Sequence, residues 1–246
     1  MEGEVDGTIP SYVIMPGKPV NIRAHMLDIT NTAVYGLIDS ALYSGLPHDC
    51  TATPWERTED IGHALERASR LANTPMGSGH DNFLVGIVVQ FTVTAPRYWW
   101  PQLQRYHHVD IVSSTSTMHT LRKVLEKSRR KRVCDIVEML ADRFTPETPD
   151  MVLESFASML KAHPEMLVEG DTGMLKQCLP ESWLQTARLS TNYRQLRTIY
   201  AQRKSHPLEE WRQFCDWIRT LEMSAELITG EAKKTGEASQ ASPAVN

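Results

Sequence analysis

Apolar positions divide the chain into an ordered series of strands and helices. The run Phe83 to Val93 predicts a buried strand that Pro96 ends. The turn Asn73 to Gly79 leads into it, and glycines there permit positive φ angles and close approach of a ligand to backbone. A short aromatic-rich helix is expected next, to about Tyr106. It leads into a polar loop with Arg105, His107, His108 and Asp110, and then five hydroxyl residues from Ser113 to Thr117. Upstream, Val13 to Met15 and then Met26, Leu27 and Ile29 suggest one or two strands within residues 11–29. Ala33, Leu37 and Ala41 recur every fourth residue in a helix capped at Asn31 or Thr32, running to about Tyr43. A further helix opens on the capping box Thr53/Glu56, with Pro54 at its first position, and buries Ile61, Leu65, Ala68 and Leu71.

Downstream, residues 119–142 read as one long helix and 147–163 as an amphipathic one, with a connecting stretch over 165–176. A strand is expected from Trp183 to Ser190, then helices from Asn192 to about Arg203 and from Pro207 to Met223. From Gly230 on, large apolar residues almost vanish, too few to offset the entropy of ordering. Residues 1–229 are therefore read as a single domain and 230–246 as a disordered tail.

Composition narrows the function classes. A length of 246 residues with 41% hydrophobic content suffices for a sizeable core. The net charge of −4 gives no overall reason to expect nucleic acid or a membrane surface as partner. The basic run Lys127, Arg129 to Arg132 reads first as a solvated helix face. A phosphate clamp toward a neighbouring subunit is the second reading and a nucleic-acid module the third. No apolar run approaches the ~20 residues of a membrane span, and the acidic N-terminus is unlike a signal peptide. The four cysteines lack CxxC spacing, which fits reduced thiols and a cytoplasmic setting. His107, His108 and Asp110 lack a further spaced ligand, so no metal is expected.

Two constellations carry the candidate chemistry. In the first, Gly79-His80 precedes the apolar strand, Ala95-Pro96 ends it, and Gln102 and Arg105 follow in the helix. In the second, Leu179-Pro180 precedes a strand, Asn192-x-Arg194 opens a helix, Arg203 comes nine residues on, and His206 and Trp211 follow, with Lys176 just ahead. Free backbone N–H groups and the dipole at a helix start favour anions, and a second guanidinium offers a two-pronged phosphate contact. Taken together, these residues resemble the flavin-dependent thymidylate synthases. The two segments cover roughly a third of the chain. The family's Arg-His-Arg triplet, followed after seven intervening residues by a Ser, is altered. Without a gap it reads Arg105-Tyr106-His107 with Thr115 at the Ser position; shifted by one it reads Tyr106-His107-His108 with Ser116 in place. Ser114 stands at the family's acidic position and Met118 at a family arginine.

The resemblance implies the fold class α+β, with an antiparallel sheet flanked by helices, a homotetramer with active sites between subunits, FAD as cofactor, and NADPH and methylenetetrahydrofolate as co-substrates. The expected activity is transfer of a one-carbon unit to C5 of a pyrimidine deoxynucleotide monophosphate such as dUMP, with flavin doing the hard chemistry and the protein orienting and polarising. The alternatives are a related enzyme making a modified base, such as a hydroxymethyl pyrimidine on dUMP or dCMP, of a type associated with bacteriophages and then located in host cytoplasm, or a non-catalytic nucleotide-binding paralogue. Carried over by position, His80, Asn82, Arg105, Ser114, Asn192, Arg194 and His206 would contact FAD. Gln102, Ser116, Lys176 and Arg203 would contact the nucleotide, and Arg105, His107 and Arg203 would serve catalysis.

Overall fold

The structure is a computed structural model that describes residues 25–27, 61–163 and 172–231. The expected helix over 32–43, the Thr53/Glu56 capping box and nearly all of the tail lie outside the described residues. A four-stranded antiparallel sheet, in the order β1-β2-β4-β3, is wrapped by helices, so the fold is α+β.

The central pair is β2 (Val88–Pro96) against β4 (Leu184–Asn192), in register from Val88 opposite Asn192 to Pro96 opposite Leu184. Both strands alternate, as a half-buried sheet requires. Val89, Phe91, Val93 and Ala95, with Ala187 and Leu189, point into the core. The opposite face is polar, where Thr94 and Thr186 share a hydrogen bond of 2.7 Å and Arg188 donates to Gln90 at 3.1 Å. The short β1 (His25–Leu27) pairs with β2 on one side. On the other, β3 (Asp110–Ser114) pairs with β4 through a register shift between Ile111 and Ser113.

Against the buried face pack α1 (Ile61–Ala72), α7 (Tyr193–Arg203) and α8 (Glu209–Arg219). An aromatic cluster holds them together. Phe91 lies 4.6 Å from Trp217 and 5.8 Å from Phe214, and Trp99 lies 4.8 Å from Trp211, ring centroid to centroid. Rings of this size dominate core energetics. Trp100 opens the one-turn α2 (Trp100–Leu103), and its indole N–H donates to the Ala95 carbonyl at 3.1 Å. A second core joins α3 (Thr117–Ser128), α4 (Val133–Leu140), α5 (Asp150–Ala162) and α6 (Thr172–Gln177) around Leu121, Ile136, Phe156 and Trp183.

Several expectations are corrected. The strand expected from Phe83 begins at Val88, because Asn82–Gly86 forms a 3-10 turn that buries Phe83 and Leu84. The aromatic helix stops at Leu103, not near Tyr106. The expected polar loop contains the edge strand β3, all five residues of which are exposed. The single helix over 119–142 is two, broken between Ser128 and Val133 where Arg129, Arg130 and Lys131 stand side by side. Asp135 stabilises the restart by accepting from the Arg132 backbone N–H at 3.0 Å. The stretch over 165–176 holds most of α6.

Candidate functional site

Helix α7 carries a separate arrangement at each end. At its start, Asn192 is in extended conformation and its side-chain oxygen accepts from the Gln195 backbone N–H at 2.9 Å, the bond of an N-cap. The Tyr193 N–H donates to the Ile87 carbonyl at 3.0 Å, and the positive dipole end of the helix borders a cavity of about 260 Å³. Asn192, Arg194, Gln195 and Thr198 form its helix wall. Met76, Gly77 and Asp81 line it from the glycine turn, Val85 from the 3-10 turn, and His108 from the loop before β3. Gly77 and Gly79 have φ of +90° and +80°, which a side chain would resist. His108 has φ of 59°, a left-handed conformation uncommon for a non-glycine residue, and its carbonyl accepts from the Thr191 hydroxyl at 2.7 Å.

An arginine on α7 and a carboxylate from the glycine turn meet in this cavity. The buried Asp81 carboxylate receives Arg197 at 3.0 Å and lies 3.4 Å from Arg194. Arg197 also donates to the Thr74 carbonyl at 2.7 Å, fastening the glycine turn to the helix.

At the other end of α7, Arg203 is caged. Its Nε–H donates to the Tyr106 hydroxyl at 2.7 Å and an Nη1 hydrogen reaches Gln102 Oε1 at 3.4 Å. The guanidinium lies 4.6 Å over the Trp211 ring, close enough for a cation–π contact. Gln102 Oε1 also accepts from the Trp211 indole N–H at 2.8 Å, and the Tyr106 hydroxyl donates to Gln202 at 2.9 Å. Next to the cage, His206 accepts on Nδ1 from the Leu208 backbone N–H at 3.1 Å. Burial, then the charges of Arg203 and Arg212, hold its pKa below the usual imidazole value. Nine residues separate Arg194 from Arg203, roughly 13 Å along the helix axis.

The structure thus brings Asn192 and Arg194 together with His108, and Gln102 together with Arg203 and His206. It leaves His80, Asn82, Arg105, His107, Ser114 and Lys176 exposed. Ser116, also exposed, caps α3 by accepting from the His119 N–H at 3.3 Å. Asp81, Arg197 and Tyr106 carry much of this geometry without having been singled out for it. For Arg197 the available signal was its place three residues after Arg194, one turn along the same helix. Among the described residues no group of His, Cys, Asp and Glu is arranged to hold a metal ion, and no helix is long and apolar enough to cross a membrane.

Residues 43–224 match the family model of the thymidylate synthase complementing proteins. The chain belongs to that family. Solved structures agree on the fold. Thymidylate synthase X from Helicobacter pylori, crystallised with FAD and dUMP, is 17% identical, with 85% of this chain and 97% of that chain covered and a TM-score of 0.61. A UMP/dUMP methylase from Streptomyces cacaoi, bound with 5-Br dUMP, is 16% identical, with 87% and 95% covered and a TM-score of 0.56. No curated protein matches the chain in sequence.

Proposed function

We propose that this member of the thymidylate synthase complementing family is an FAD-dependent enzyme that transfers a one-carbon unit from methylenetetrahydrofolate to C5 of a pyrimidine deoxynucleotide monophosphate, with dUMP as first substrate and NADPH as reductant. The observation that carries the reading is the cavity at the start of α7, where Asn192 and Arg194 stand together at a helix N-terminus.

The residues there fit one end of the cofactor. Asn192 uses its oxygen for the cap, which leaves its amide N–H groups for a heterocycle or phosphate. Arg194 and the positive end of the helix dipole favour an anion. A volume of about 260 Å³ is below the ~300–1,000 Å³ of pockets that enclose a drug-sized ligand, so one chain cradles only part of FAD. The remaining wall is assigned to another copy in a homotetramer. The exposed His80, Asn82, Arg105, His107, Ser114, Ser116 and Lys176 are available to such a shared site.

FAD, when bound, would supply the redox chemistry of the one-carbon transfer. The protein binds and orients. Arg194 would hold an anionic group of the cofactor, and the α7 N-terminus would favour negative charge beside it. Arg203 uses two of its five N–H groups inside the cage, which leaves three to hold a nucleotide phosphate or base oxygen at a fixed angle.

Purified protein should be yellow or turn yellow with added FAD. Supplied with methylenetetrahydrofolate and NADPH, it should convert dUMP to a product heavier by one CH2, the mass of a methyl group replacing the hydrogen at C5. Protein that takes up no FAD overturns the reading. Retained FAD binding with a hydroxymethyl product, or with dCMP or UMP consumed instead, moves it to the modified-base branch. Nucleotide binding without any turnover selects the non-catalytic alternative.

A further inference from the structure

Asp81 lies at 1% exposure beneath two guanidinium groups, and a carboxylate buried to that degree requires a matching charge. Arg197 supplies it. One of its terminal nitrogens donates to Asp81 Oδ2 at 3.0 Å, the other donates to the Thr74 carbonyl at 2.7 Å, and its side chain is 13% exposed. Arg194 is placed differently. Its Nε is 3.4 Å from Oδ1, and that oxygen is buried without a hydrogen-bond partner. The Arg194 side chain is 37% exposed and lines the cavity. One carboxylate therefore meets two cations, and the excess positive charge falls on the residue nearer the cavity.

We propose that Asp81 and Arg197 are positioning residues that hold Arg194 half-released at the cavity wall, free to turn its guanidinium onto an anionic group of a bound ligand. Arg197 satisfies Asp81 and so prevents the carboxylate from capturing Arg194 outright. Asp81 in return keeps Arg194 from extending into solvent. The strap from Arg197 to Thr74 fixes the turn that carries Asp81. The ligand arm of the test rests on the flavin reading given above; the labelling arm does not.

The test uses Arg197→Gln, Asp81→Asn and the double substitution in the full chain, with folding checked by circular dichroism and thermal melting. Modification of Arg194 by phenylglyoxal is followed by peptide mass spectrometry, and FAD affinity by fluorescence titration. With Arg197→Gln, Asp81 pairs with Arg194 alone, so labelling slows several-fold and FAD affinity falls about tenfold. With Asp81→Asn, labelling of Arg194 speeds up several-fold. The double substitution removes the captor and returns FAD affinity to within about threefold of wild type. A structural ion pair predicts the reverse, a double variant at least as impaired as Arg197→Gln. Unchanged Arg194 labelling in Arg197→Gln, or no recovery in the double variant, overturns the proposal. If Arg197→Gln fails to fold, Asp81→Asn and Arg197→Lys decide. Faster labelling in the first, with labelling in the second close to wild type because lysine keeps the charge that satisfies Asp81, supports the proposal, and unchanged labelling in Asp81→Asn overturns it. Failure of wild type to bind FAD removes the flavin reading while the labelling arm still decides this one.

Discussion

Substituting Arg203 by lysine keeps the charge and removes the planar fork. The structure gives the size of the loss. Arg203 Nε donates to the Tyr106 hydroxyl at 2.7 Å, a hydrogen bond from a charged donor worth about 1.5–3 kcal/mol. The guanidinium carbon lies 4.6 Å from the Trp211 ring centre and 5.6 Å from that of Tyr106, worth about 0.5–1 kcal/mol at a half-exposed position. A lysine ammonium can reach one of the two oxygens but cannot stack while doing so. The net destabilisation expected is about 2 kcal/mol. For a chain of this length, each kcal/mol moves the melting midpoint by about 2–4 °C, so Arg203→Lys should melt about 4–8 °C below wild type. Tyr106→Phe keeps the rings and leaves the Nε–H without its acceptor, and should fall between the two. Differential scanning fluorimetry reads all three. A lysine variant melting within about 1 °C of wild type would refute the cage, because the contacts drawn would then contribute almost nothing.

Two further outcomes follow from titrating groups. His206 has a pKa held below its ordinary value by burial first, then by Arg203 and Arg212, so folding favours its neutral form. Its contribution to stability is complete above the ordinary value of about 6.5 and is lost as pH falls through the lowered folded value. Between about pH 8 and pH 5, wild type should lose more thermal stability than His206→Asn, and parallel losses would rule His206 out as the source. The Cys215 thiol is pushed up to about 12, chiefly by burial and then by Asp216, whereas Cys134 and Cys178 are exposed. Iodoacetamide should therefore modify Cys134 and Cys178 in the native protein and reach Cys215 only after denaturation, as peptide mass spectrometry will show.

What the sequence disclosed was whatever depends on local chemistry. The start of α7 at Asn192 was legible because an N-cap needs only a short polar side chain and the backbone three residues on. The central strand was legible from its apolar run, apart from its first residues. Those become a 3-10 turn because Phe83 and Leu84 find their burial in tertiary contacts. Edge strand β3 was not legible. Asp110 to Ser114 are exposed on both faces, so no alternation marks them, and pairing comes from the open edge of β4, far away in sequence. The break after Ser128 was masked by good helix formers on either side. In the site, His80 and Asn82 drew attention by matching a motif, while Asp81 between them did not. Its importance rests on a charge supplied from α7, 116 residues downstream of it, which no local pattern reveals.

The altered triplet takes on a different meaning beside this geometry. Had the site simply decayed, its cations would be lost or turned into ordinary surface charges. Here Tyr106, at the second triplet position, points inward and fixes Arg203. Meanwhile Arg194, Arg197 and Arg203 place three guanidinium groups along one helix, each with a defined partner. None of the motif positions calls for Arg197, yet it is the one that neutralises the carboxylate beneath the cavity. Positive charge at the candidate site is therefore carried on a rigid helix rather than on the loop after α2. A helix holds such groups at fixed spacing with less freedom than a loop, which favours orientation of an anionic ligand. That arrangement directs mutagenesis to α7 before the triplet.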